Sequence, residues 1–351
     1  MKKIYKNRII IFLLLISLIF TFSGCRNEET KIVNNNKISK SEFLLDTHVT
    51  ITLYGTADEN LFPEIFEEIQ RLENILSVHV EGSDLDLLKN NAGIKPVKVS
   101  EDTIKLMEKS IKYSELTNGL FDITSGPLID LWGIGTESAK IPSKDEIKVA
   151  IGLIDYNKIK INKNERTIFL EDEGMIANLG AIAKGYIADK VEEKLYELGV
   201  KSAIINLGGN VQLIGTKPDG TLFRIGIQDP DESRGGNIGV YTGKDVTIVS
   251  SGDYERFFIE DGVKYHHILN PKTGFPVDTE IKSVSIITDK SFEADALSTS
   301  VLLSGWDKGI AMIENSKDIE AIFINKDHQV YVTEGLKETF DFDSDNYELL
   351  Q

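Results

Sequence analysis

Thr47 to Tyr54 (Thr-His-Val-Thr-Ile-Thr-Leu-Tyr) alternates polar and apolar side chains, the period of a half-buried strand. From Phe62 to Leu76 the period changes. Ile65, Ile69, Leu72 and Leu76 recur at helical spacing, with acids on the other face. Thr103 to Leu116 repeats this pattern through Ile104, Met107 and Ile111, and Asn118-Gly119 ends the predicted helix. Lys158–Ile161 and Arg166–Leu170 flank Asn162-Lys163-Asn164, which predicts a hairpin. Another helix is predicted from Ala181 to about Leu198, stopped by Gly199.

Strands are predicted at Ser202–Asn206, Gln212–Gly215, Phe223–Gln228, Gly239–Tyr241, Val246–Ser250 and Arg256–Ile259. Ser283–Thr288, Ile319–Ile324 and Val330–Thr333 extend the series, with helices at Phe292–Leu303 and Trp306–Ile313. Strands and helices mix without regular β-α-β alternation, which favours an α+β fold over a doubly wound one. We read one two-lobed catalytic body of mixed, mainly antiparallel sheets with packed helices over residues 41–340, then an acidic tail, 341–351.

The first residues follow another logic. Lys2, Lys3, Lys6 and Arg8 precede the apolar run Ile9 to Phe22, which is shorter than the ~20 residues of a membrane span. It reads as an export signal over residues 1–24. The run ends at Phe22-Ser23-Gly24-Cys25, which resembles a lipobox, and Cys25 is the chain's one cysteine. Lipidation of Cys25 would place the protein on the outer face of a cytoplasmic membrane, or in a periplasm, with residues 25–40 as a flexible tether. Removing four signal cations takes the formal charge from −17 to −21, which argues against nucleic acid as a partner.

Five polar clusters carry candidate chemistry. Asn178-Leu-Gly-Ala-Ile-Ala-Lys-Gly-Tyr-Ile-Ala-Asp189 reads as a loop entering a helix with Lys184 in its first turn, a place suited to an anion such as phosphate. Thr117 to Leu128 offers Phe121 and Asp122, either as a ring face and an acceptor for a ligand or as a buried Phe beside a capping Asp. Asn206-Leu-Gly-Gly-Asn210 fits either close backbone approach to a ligand or a plain strand exit. His266-His267, before Asn270-Pro271-Lys272-Thr273-Gly274, supplies a titratable group near neutrality. Asp295 and Thr299, four apart on a predicted helix, fit either a carboxylate and a hydroxyl presented to one point, a hard-oxygen pair suited to Mg2+, or an ordinary helix N-terminal cap.

Taken in order, Gly-Leu-Phe-Asp-Ile-Thr-x-Gly-Pro-Leu, Asn-Leu-Gly-Ala-Ile-Ala-Lys-Gly, Asn-Leu-Gly-Gly-Asn, Ser-Gly-Asp-Tyr-Glu-Arg (Ser251 to Arg256), His-Ile-Leu-Asn-Pro-x-Thr-Gly and Ala-Asp-Ala-x-Ser-Thr resemble the ApbE family. The resemblance spans about Phe43 to Thr333. It implies a T-fold-like body that moves FMN from FAD onto a Thr or Ser hydroxyl of an exported acceptor, releasing AMP. Matching positions imply a Mg2+ site from the Ala181 carbonyl, Asp295 and Thr299. They imply FAD contacts at Leu45, His79, Leu120, Phe121, Asp122, Asn178, Lys184 and Leu269, with His267 or Asp295 accepting the proton. The family's acceptors are subunits of Rnf- or Nqr-type complexes and extracellular flavin carriers. Two other readings are an FAD pyrophosphatase giving FMN and AMP, and a non-catalytic flavin-binding lipoprotein.

Overall fold

The computed structural model describes residues 36–232 and 235–350; the leader, Cys25 and residues 25–35 of the expected tether lie outside them. The chain runs β1 (Lys37–Leu44), β2 (Thr47–Tyr54), α1 (Leu61–Leu76), α2 (Asp84–Asn90), β3 (Val97–Lys98), α3 (Glu101–Leu116), α4 (Gly126–Trp132) and α5 (Lys144–Ile151). Next come β4 (Ile159–Asn162), β5 (Thr167–Leu170), α6 (Ala183–Glu197), β6 (Ala203–Leu207), β7 (Asn210–Ile214), β8 (Phe223–Gln228), β9 (Asn237–Gly243) and β10 (Val246–Gly252). It closes with β11 (Phe257–Glu260), β12 (Val263–His266), β13 (Ile281–Thr288), α7 (Ser291–Ser304), α8 (Trp306–Glu314), β14 (Glu320–Asn325), β15 (Gln329–Val332), β16 (Phe340–Phe342) and β17 (Glu348–Leu349).

The main sheet has the order β1-β2-β6-β7-β10-β13-β14-β15-β17, antiparallel throughout except for the final β15–β17 pair. Its period-2 pattern feeds two cores. Val249, Val284, Ile286, Ala321 and Phe323 face one way, toward a core shared with α1, α3, α6 and α7. Ile248, Ile287, Ile322 and Ile324 face the other way, under the small sheet β16-β9-β8. A third cluster joins Leu128 and Trp132 of α4 and Ile147 of α5 to Phe258 and Tyr265 of the β11–β12 ribbon. The α+β, mainly antiparallel architecture expected from the pattern is the one observed.

Two boundaries differ. The tether expected over 25–40 does not extend that far, because β1 already pairs with β2 from Lys37. Its polar sequence misleads because β1 is an edge strand, whose serines bond across the pair: Ser39 to Thr52 at 3.0 Å and Ser41 to Thr50 at 2.8 Å. The acidic segment 341–351 is no free tail either. β17 pairs with β15, and buried Tyr347 donates its hydroxyl to Asp229 and Asp231 at 2.7 and 2.8 Å. Helices α2, α4 and α5 were not legible as periodic runs because they are only seven or eight residues long. For α5 a local signal existed, since Ser143 and Glu146 form a capping box.

Among the described residues no helix is long and apolar enough to cross a membrane.

Candidate active site

Register places the polar motifs at one end of the main sheet. The β1–β2 turn at Leu45-Asp46 and the β6–β7 turn at Gly208-Gly209 lie side by side, because β2 pairs antiparallel with β6. A side chain at Gly208 would meet the Thr47 hydroxyl at 2.2 Å. The close approach that the Gly-Gly pair serves is therefore strand to strand. The exit of β10, Ser251 to Gly252, runs past Asn210 toward the same end.

α6 and α7 meet there, and Gly185 sets how closely. A Cβ at Gly185 would stand 2.2 Å from the Ser291 carbonyl oxygen and 2.7 Å from Asp295 Cβ. Each helix caps the other. Asp189 on α6 accepts the Ser291 and Phe292 N–H groups that open α7, at 3.0 and 3.1 Å. Asp295 on α7 accepts the Gly185 N–H near the start of α6, at 2.8 Å. The helix start expected to receive a ligand anion thus already holds a carboxylate of the protein. Burial pushes the Asp189 carboxyl up to about 6 and raises that of Asp295, against the pull of Lys184 and the α6 amides.

Three oxygens lie short of partners near this contact. Gly185 is the third residue of α6, so its N–H has no acceptor within the helix and Asp295 supplies one, while the Ala181 carbonyl, just outside the helix, accepts no hydrogen bond among the described residues. The Thr299 hydroxyl is also without a partner among the described residues, since Ser298 takes the Asp295 carbonyl at 2.9 Å. Asp295 is buried with no salt bridge among the described residues. A carbonyl just before α6 and a carboxylate and a hydroxyl on α7 are the oxygen types that a hard divalent cation takes. No group of three or more His, Cys, Asp or Glu converges among the described residues.

His267 follows β12 directly. Its N–H donates to the Arg256 carbonyl at 3.0 Å, and Nδ1 lies 3.2 Å from the same oxygen. A carbonyl only accepts, so Nδ1 carries the proton and Nε2 keeps a lone pair. Burial first, then the positive charges of Arg256, His266 and Lys184, lower the imidazole to about 4. It is therefore neutral at physiological pH. Lys184 forms no salt bridge among the described residues, and its charge reaches both Asp295 and His267.

The expected flavin contacts fall into two groups. Leu45 sits at φ +56° beside Asp46 at +54°, an uncommon conformation for leucine, with its N–H on Glu73 of α1 at 2.9 Å. Asn178 donates its N–H to Ile123 at 2.7 Å and bonds the Gly180 N–H at 2.8 Å, so the 120–124 and 176–180 loops are tied together. Leu120 and Leu269 are half-buried. The Phe121 and Asp122 side chains, however, turn inward. Phe121 packs on Tyr113, and Asp122 accepts from the Thr124 N–H and hydroxyl and the Tyr156 N–H at 2.8, 2.7 and 3.1 Å. Of the two readings of that pair, the structural one holds for the side chains. His79 stands exposed in the turn after α1; its backbone N–H donates to the Ser77 hydroxyl at 3.3 Å, and its imidazole makes no hydrogen bond among the described residues.

Residues given no role from sequence complete the frame. Ser251 donates to Ser298 at 2.8 Å, fixing α7 to the β10 exit. Arg256 Nη2 donates to the Asp46 carbonyl at 3.1 Å, bridging the Leu45 turn and His267. Both lie in the Ser-Gly-Asp-Tyr-Glu-Arg motif, and Asp189 closes the Lys184 motif, so the signal was present without an assignable contact.

A sheet end carrying a locked pair of helices, an oxygen donor set and a neutral imidazole defines a group-transfer or hydrolytic site for an anionic ligand. The ApbE family profile matches residues 45–323, and the chain belongs to that family. It is similar to the FAD:protein FMN transferase of Klebsiella pneumoniae (strain 342), 34% identical over 300 residues, covering 86% of this chain and 93% of the relative. The enzyme of the same name from Treponema pallidum (strain Nichols) is 33% identical over 315 residues, covering 85% and 87%. Among solved structures, the ApbE protein of Thermotoga maritima superposes with a TM-score of 0.80 at 29% identity, covering 87% of this chain and 99% of that one. Flavin transferase ApbE from Vibrio cholerae gives 0.77 at 27% identity with the same coverage.

Proposed function

We propose that this chain is an FAD:protein FMN transferase that moves the FMN part of FAD onto a Ser or Thr hydroxyl of an acceptor protein and releases AMP. Family membership and the names of its relatives support the reaction. The observation that carries the site is the Gly185 N–H held by Asp295, which locks α6 to α7 beside an Ala181 carbonyl and a Thr299 hydroxyl that have no partner among the described residues. We assign Mg2+ to the Ala181 carbonyl, Asp295 and Thr299; when bound it would offset charge on the diphosphate and the leaving AMP.

The chain's own groups do the rest. Lys184, with no salt bridge, balances diphosphate charge. The α6–α7 lock fixes the donor oxygens before ligand arrives. His267 Nε2 accepts the acceptor hydroxyl's proton as the new O–P bond forms and the P–O bond to AMP breaks. Asp295 is the weaker candidate for that proton, since an α6 amide already holds one of its oxygens. Positioning and charge outweigh the base in phosphoryl transfer, so Asp295→Ala removes more activity than His267→Ala. Equal, wild-type turnover in both variants would refute the site.

The acceptor we assign is an exported Rnf- or Nqr-type subunit or extracellular flavin carrier. The enzyme itself sits on the extracytoplasmic membrane face through lipidated Cys25. Sequence alone supports both assignments; recovery of Cys25→Ala protein still in the membrane fraction would contradict the anchor. The functional test incubates the protein with FAD, Mg2+ and an Rnf-type acceptor subunit, reading intact mass and AMP. An FMN adduct supports transfer. AMP and free FMN without an adduct indicate the pyrophosphatase, and FAD binding without turnover indicates a carrier.

A further inference from the structure

β11 and β12 stand apart from the other sheets as a two-stranded ribbon. One face is spoken for: Phe258 stacks on Tyr265 with centroids 5.3 Å apart, and Tyr265 packs on Trp132 at 5.6 Å. The other face carries Phe257 and Ile259, which are 44% and 64% exposed, large apolar side chains left in water. A groove of about 410 Å3, lined in part by Pro230, Tyr254, Phe257 and Lys264, runs beside it.

The hydrogen-bond alternation fixes which backbone groups are free. The bond from His267 N–H to the Arg256 carbonyl makes 256 and 267 a bonded rung, so 258–265 and 260–263 are the next two. The N–H and C=O groups of Phe257 and Ile259 therefore point outward from β11, and no described residue pairs with them. An apolar strand with an open edge is a template for another strand. At ~3.3 Å per residue, a strand laid along Phe257 and Ile259 reaches the Arg256–His267 rung within one or two residues.

We infer that the outer edge of β11 docks the acceptor protein, as an extended segment paired on Phe257 and Ile259 that delivers its hydroxyl to His267. This rests on the transferase reading. The occupant is an extended segment because the free edge offers main-chain partners, and it is the acceptor's because the ribbon leads straight into the proton-accepting residue.

The test measures steady-state transfer to the Rnf-type acceptor subunit for wild type, Ile259→Asp and Ile259→Pro. The Pro variant removes an N–H that no internal rung uses, so the ribbon keeps its ladder. Both variants should raise the KM for acceptor at least tenfold, with the KM for FAD within twofold of wild type and an unchanged melting temperature. An unchanged acceptor KM in folded Ile259→Asp overturns the docking edge. Should Ile259→Pro fail to fold, Ile259→Asp decides alone. Absence of any adduct from wild-type protein sinks the transferase reading first, a result distinct from a failed docking edge.

Discussion

Asp295 and Asp122 are both buried carboxylates that burial makes harder to ionise, yet they are built for different work. Asp122 has both oxygens filled by Thr124 and Tyr156, and it holds two loops in register. Asp295 holds an α6 amide, stands near one lysine and meets no paired cation. A carboxylate with three donors spread over both oxygens is architecture. One left short of partners, beside a bare carbonyl and a bare hydroxyl, has room for a ligand. We therefore assign the chemistry to side chains on the α6–α7 side of the site. In the 120–124 loop the Phe121 and Asp122 side chains turn inward, which leaves the backbone and half-buried Leu120 as the contacts we assign to a flavin.

The sharpest way to break this contrast is Gly185→Ala. The methyl group forces α6 from α7, so transfer should fall roughly a hundredfold and stability by about 2 kcal/mol; a variant with wild-type kinetics would show that the contact does not set the site. His267→Ala should lower transfer by about a hundredfold, the low end for a lost general base, while FAD binding is kept. Because the folded imidazole titrates near 4, below its ordinary 6.5, it is already neutral above that pH. Its acid limb in a pH–rate profile should centre near 4. Removing a positive neighbour by Arg256→Ala should move the limb to higher pH, and a downward move would reverse the sign argued here. The same shift costs stability as pH falls from 6.5 toward 4, where an unfolded chain takes up the proton and the folded one does not.

Smaller effects should follow further out. Asp189→Asn keeps an acceptor for one α7 amide and lowers transfer by about tenfold, with a stability change of about 1 kcal/mol. His79→Ala should change the KM for FAD by less than about threefold, since the exposed side chain makes no hydrogen bond in the fold. A large loss there would mean that the flavin side uses side chains after all.

Sequence made much of this legible, unevenly. Long periodic runs such as Phe62–Leu76 and alternating strands such as Thr47–Tyr54 appear where expected, since burial on one face enforces the period. β1 was missed because an edge strand leaves no apolar stripe, and β17 because its pairing depends on a distant partner. Asp295, Thr299 and Lys184 stood out by type and spacing. The Gly185–Asp295 contact could not, since it needs two helices to meet whose residues are 110 apart. For Phe121 and Asp122 the motif was visible but the direction of the side chains was not, and direction separates a ligand contact from a cap.

The most direct test compares two carboxamides, Asp295→Asn and Asp122→Asn, in one transfer assay with FAD, Mg2+ and an Rnf-type acceptor subunit, read by intact mass beside thermal melts. Asp295→Asn should keep or raise the melting temperature, since it removes a buried charge, and leave the acceptor without its FMN adduct. Asp122→Asn should melt lower and still form the adduct. An adduct from Asp295→Asn at the wild-type rate would contradict the assignment of the transfer site to the α6–α7 contact.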